Sequence, residues 1–164
     1  MGINPSDFRK YVIRPTLKKL GKWSPPLENL LLGSAAQASQ LGAVLVSNQG
    51  LGVYGVNREA HLRVWDDFLA FDPDMASAVR GLASQRQFLS QPDMELATNF
   101  SYATAIAWAI IAHNQVSLPE DANNLDALAQ CWESCFHTSA VGNRQQFVDN
   151  YRALEATLGK AIAA

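Results

Sequence analysis

Apolar positions recur three and four residues apart along most of the chain, the spacing of helices that bury one face. Asn4-Pro5-Ser6-Asp7 is a helix-start signature, and Phe8, Val12, Pro15 and Leu20 follow as one face, with Pro15 placed to bend or divide the helix. Trp23-Ser24-Pro25-Pro26 breaks the chain and starts a second helix. Leu27, Leu30, Leu31, Ser34, Ala38 and Leu41 form its stripe, and Gly42 closes it. The period then changes. Ala43 to Val46 and Leu51 to Val56 are short β-prone runs around Asn48-Gln49-Gly50, which predicts a small hairpin-like lobe after the second helix. Helical spacing returns at Glu59 to Phe71, after Pro73, and from about Pro92 into an apolar segment ending near Val116. A turn at Leu118-Pro119-Glu120-Asp121 precedes two amphipathic helices, Leu125 to Phe136 and Arg144 to Ala161. No repeat, low-complexity tract or linker interrupts this order, so residues 1–164 read as a single, mainly α domain.

Composition narrows the function classes. A chain of 164 residues, 48% hydrophobic, can bury a core without metals or disulfides. A net charge of −2 argues against a nucleic-acid binder, which needs a basic surface. The solidly apolar part of the central segment, Ala103 to Ala112, is too short to span a membrane and reads as a core helix. The first twenty residues carry Asp7, Arg9, Lys10, Arg14, Lys18 and Lys19 with no apolar run between them, so no secretory signal is expected. Cys131 and Cys135 stand four apart on a helix, which suits neighbouring free thiols better than a disulfide and points to synthesis in a reducing compartment. With His137 they make three potential metal ligands without a fourth, so no metal site is predicted, nor any cofactor. Gly50, Gly52 and Gly55 lack the lysine of a phosphate loop. His61 and His113 have no nucleophile at a readable spacing, and Trp23, Trp65, Trp108 and Trp132 fit core packing before sugar stacking.

Several segments carry a resemblance. Leu32-Gly33-Ser34-Ala35-Ala36-Gln37-Ala38-Ser39-Gln40-Leu41-Gly42 resembles the stretch of lytic-transglycosylase-like proteins that ends in a Glu-Ser pair, and Gly52-Val53-Tyr54-Gly55 resembles the Gly-x-x-Gln turn that follows it. Ala60-His61 with Val64-Trp65-Asp66-Asp67-Phe68-Leu69 is similar to small lysozyme-like proteins of tailed phages. So are the segments from Asn99 to Ala107, Leu118-Pro119, Leu128 to Trp132 and Phe147 to Tyr151. The resemblance implies a lysozyme-like helical domain with its small β lobe, a peptidoglycan cleft lined by Tyr54 and Gly55, and a place in a virion after synthesis in the host cytoplasm.

The departures point away from catalysis. The resemblance puts the catalytic Glu where Ala38 stands, and its substrate-positioning glutamine where Gly55 stands. Cleaving a glycosidic bond requires a carboxylic acid to protonate the leaving oxygen, and a methyl group cannot do so. Between Glu28 and Glu59 the sequence has no acid at all, which leaves Glu59 and Asp66 as fallback carboxylates. The reading is therefore an inactive lysozyme-like component of a phage tail, baseplate or injection apparatus that works through contacts with other virion proteins. Two alternatives stand beside it: a divergent peptidoglycan-degrading enzyme, and a module that holds peptidoglycan glycan strands without cutting them. For partner contact, Phe147, Tyr151, Leu154, Leu158 and Ile162 form a narrow apolar seam on the last helix, with Leu154, Leu158 and Ile162 as its outer end.

Overall fold

The computed structural model describes residues 2–136 and 142–163, with the side chains of the second stretch described through residue 158. Its architecture is mainly helical, as the periodicity predicts. Helix α1 (Pro5–Phe8), a wide π-turn (Arg9–Ile13) and α2 (Arg14–Lys19) run on from one another, and Asn4 caps the start through the N–H groups of Ser6 and Asp7. The distortion falls just before Pro15. A proline has no N–H for the Tyr11 carbonyl and its ring crowds that carbonyl. The helix widens instead, with Arg14 N–H reaching back five residues to Arg9.

Helix α3 (Pro25–Ser39) is capped by Ser24 and ends earlier than Gly42, because Gln40, Leu41 and Gly42 take left-handed φ of 52°, 56° and 84°. The hairpin lobe expected next is not formed. Among the described residues there is no strand, only isolated bridges joining Val46 to Leu51 and Leu51 to Val56. Both bridges use Leu51, and the left-handed turns at Gly52 and Gly55 fold the chain back before a ladder can extend. Residues 42–57 are an irregular loop, held by scattered backbone bonds, among them Gly52 N–H to Leu45 and the Leu51–Val56 pair, together with side-chain bonds, rather than by a sheet. Glycine is required at position 52, where a Cβ would lie 1.8 Å from the Leu96 carbonyl oxygen.

Asn57 caps α4 (Arg58–Asp67), and a single 3-10 turn at Leu69–Phe71 leads to α5 (Pro73–Leu82) and α6 (Gln85–Ser90). The apolar segment from Pro92 is divided. Asn99 is extended, separating α7 (Glu95–Thr98) from α8 (Phe100–His113), and its side chain caps the latter through Tyr102 N–H. Helices α9 (Leu125–Phe136) and α10 (Arg144–Ala163) complete the described chain. Every residue of α8 from Tyr102 to Ile111 is buried, which is why this helix is apolar all round. Helix α3 packs on α8, α9 and α10. Gly33 allows the last contact: a Cβ there would come within 2.4 Å of the Phe147 ring, which stacks on Trp132.

Candidate functional site

The two positions singled out by the resemblance meet in space. Ala38 sits on the last turn of α3 and Gly55 in the following loop, and a Cβ placed on Gly55 would lie 3.3 Å from the Ala38 Cβ. Ala38 does not share the burial of its predicted stripe: Leu31, Ser34 and Leu41 are inside, whereas Ala38 is exposed. Around this pair the frame is rigid. Ser39 is buried and its hydroxyl lies 2.6 Å from the Val53 carbonyl and 3.1 Å from that of Ala35, while accepting from Gly42 N–H. Tyr54 does not line a cleft as expected. It is 3% exposed, its hydroxyl bonds Thr104 on α8 at 2.9 Å, and burial pushes its pKa far up.

The fallback acids lie in water. The Glu59 side chain is 78% exposed and pairs with Arg63 one turn on, and Asp66 is exposed on the same helix. Neither occupies the desolvated setting that makes a carboxyl a general acid at neutral pH. The most enclosed ion pair surrounds Glu28 instead. Its oxygens take two hydrogen bonds from Arg14 (2.8 and 2.7 Å), one from Trp23 (2.5 Å) and a longer one from Arg9 (3.4 Å). Burial alone would raise its pKa, but the bonds from Arg14 and Trp23 and the two guanidinium charges outweigh it and hold the carboxyl below its ordinary range. That is the opposite of a proton donor. Arg9 also reaches Asn29 and Tyr151, so this cluster ties the N-terminal helix to α3 and α10.

A second buried network was hidden in the sequence. His61, 3% exposed, lies 2.8 Å through Nδ1 from Asp93 and 2.7 Å through Nε2 from the Tyr102 hydroxyl, which also accepts from Trp65 Nε1 at 3.0 Å. One proton arrangement satisfies the whole chain: Trp65 donates to Tyr102, Tyr102 to His61, and His61 through Nδ1–H to Asp93. Burial lowers the pKa of His61 despite the Asp93 carboxylate, which keeps the ring neutral. A histidine between a carboxylate and a hydroxyl has the outline of a catalytic triad. Here the hydroxyl belongs to a phenol with no exposed surface, whose pKa burial raises further, so no substrate reaches it. Its partners stand 32 and 41 residues from His61, beyond any sequence spacing. Glu95 is enclosed in the same way, between Ser84 (2.6 Å) and Asn99 (2.9 Å).

Cys131 and Cys135 are free thiols, and burial raises the pKa of both, that of Cys135 to about 12. Among the described residues no three His, Cys, Asp or Glu side chains gather as metal ligands, and His137 lies outside them. No described helix is long and apolar enough to cross a membrane. At the outer seam of α10, Leu154 and Leu158 are half-buried, while the Ile162 side chain lies outside the described residues. Leu154 packs on the core and, with Ile3, Leu41 and Thr157, lines a groove of about 320 Å³. Comparison with protein-family models, with curated proteins and with solved structures finds no match.

Proposed function

We propose that the chain is a non-catalytic structural component that acts through protein–protein contacts, on a lysozyme-like plan that has lost its chemistry. The observation that carries this reading is the pairing of Ala38 with Gly55. Two positions 17 residues apart in sequence, each assigned a catalytic or positioning role by the resemblance to lytic-transglycosylase-like proteins, are neighbours at the surface. Both have lost the group that role requires. The buried carboxylates support it, since Glu28 is held ionised by Arg14 and Glu95 is closed in by Ser84 and Asn99. Large apolar side chains left in water, Phe71 at 81% and Leu89 at 79%, are consistent with partner surfaces. The virion assignment rests on the similarity of the Ala60 to Leu69 and Asn99 to Ala107 segments to small tailed-phage proteins.

Two measurements test the proposal. Purified protein added to peptidoglycan sacculi should release no soluble muropeptides, and Ala38→Glu alone should restore little, because Gly55 offers no amide to position the substrate. Robust release by the unaltered protein would replace the proposal with an enzyme. A protein inventory of purified phage particles should contain the chain. Its absence from particles would remove the virion assignment.

A further inference from the structure

A groove of about 660 Å³ runs between α4, α5 and α6, away from the Ala38–Gly55 pair, lined among others by Trp65, Ser77, Arg80, Gly81 and Gln85. Its size is that of a small-molecule site. Arg80 distinguishes it. The guanidinium lies over the Phe88 ring, 4.0 Å from the centroid, and among the described residues no carboxylate pairs with it. A stacked guanidinium presents a flat fork of N–H donors with little rotational freedom left to lose, the arrangement that takes a carboxylate through two bonds. Gly81 beside it leaves nothing within 4 Å of where a Cβ would stand, so the approach is open.

The Trp65 side of the groove is fixed as well. Trp65 is half-buried, its N–H is held by Tyr102, and Phe88 meets it edge to face at 6.0 Å. The chain Asp93–His61–Tyr102 thus has a consequence at the surface: it locks the orientation of an indole that lines the groove. Buried polar chains of this kind add rigidity when every member is satisfied. Glu95, bonded to Ser84 and Asn99, makes no ion pair with Arg80.

We propose that this groove binds a ring compound bearing a carboxylate, with Arg80 taking the carboxylate, Trp65 offering a stacking face, and Ser77 and Gln85 meeting polar substituents. The shared chemistry fits a sugar acid or an aromatic acid, and the two are separated by titration. Wild-type protein would be titrated with glucuronate and with benzoate at constant ionic strength, following the Trp65 indole and Arg80 Nε–H signals by NMR. Glucose and benzamide serve as the neutral counterparts. At least one acid should shift both signals saturably with a Kd on the order of 1 mM, and its neutral counterpart should not. The acid that binds identifies the ring class. Arg80→Gln should weaken that binding by at least roughly tenfold, and Arg80→Lys, which keeps the charge and loses the fork, should recover only part of it. Trp65→Phe should weaken it while leaving the fold intact by circular dichroism. The proposal is overturned by no saturable shift with either acid. It is overturned equally by binding that the neutral compound matches or that survives Arg80→Gln unchanged.

Discussion

Two buried side chains set how the protein responds to acid. His61 has a pKa below its ordinary 6.5, chiefly through burial, and Glu28 has one below its ordinary 4.5, because its arginine bonds outweigh burial. For His61 the unfolded chain binds the proton first, so stability falls as pH drops below the unfolded value and towards the folded one. For Glu28 the stabilisation is present above the unfolded pKa and is lost as pH falls through the lower folded pKa. On acidification the His61 effect begins first, near its unfolded value of 6.5, and the Glu28 effect only near 4.5. Thermal melts between about pH 7 and 5 should therefore show a falling Tm that is flatter in His61→Gln, and an unchanged slope there would place the proton elsewhere. Glu28→Ala leaves Arg9 and Arg14 beside a buried gap. Because the Arg14 side chain is 40% exposed and that of Arg9 24%, water takes up part of the stranded charge, and the loss should be about 1–3 kcal/mol, to be read as a lower urea midpoint.

At the scale of elements, the loop 42–57 is held without a sheet, by isolated backbone bonds and a few side chains. Ser39, Tyr54 and the turn at Gly52 are its anchors. Gly52→Ala meets both a positive φ and the Leu96 carbonyl, so it should destabilise the fold by about 2 kcal/mol or more. Tyr54→Phe removes one bond and strands Thr104 only partly, since that hydroxyl also donates to Phe100, for a loss of about 1 kcal/mol. Chemical denaturation of the two variants should rank them in that order; the reverse order would mean that Tyr54 and not the turn holds the loop. The same loop marks the limit of what was legible. Helices with one apolar stripe were readable from spacing, as were the caps at Asn4 and Ser24, because both signals are local. The β-prone run at Leu51 to Val56 carried the pattern of a strand but pairs only through single bridges at Leu51, to Val46 and to Val56, which only tertiary placement reveals. The central segment read as one helix because Asn99 resembles any polar residue until its side chain is seen capping α8. Ala38 and Gly55 were singled out through the resemblance alone, and their closeness in space was not readable from their spacing. The His61 network and the pairing of Glu28 with Arg14 join elements too distant for spacing to connect.

At the scale of the molecule, the question is where the domain ends and a contact surface begins. Helix α10 joins the core through Phe147, Val148 and Tyr151, all buried, and its next inward residue, Leu154, is already half-exposed over the groove beside Ile3 and Leu41. The ring of Phe147 is pinned against Gly33 and Trp132, and the Tyr151 hydroxyl accepts from Arg9. These contacts anchor the helix before its last two turns, and of the segment 157–164 the described side chains are Thr157, exposed, and Leu158, half-buried. The truncated protein should keep its helical circular dichroism and a single cooperative unfolding transition, with the midpoint lowered by no more than about 1 kcal/mol of stability. If the proposed structural role is right, it should also fail to enter particles when it is the only copy supplied during infection. Loss of folding would show that the helix end belongs to the core. Normal incorporation of the folded truncation would move the contact surface elsewhere, with exposed Phe71 and Leu89 as the next positions to alter.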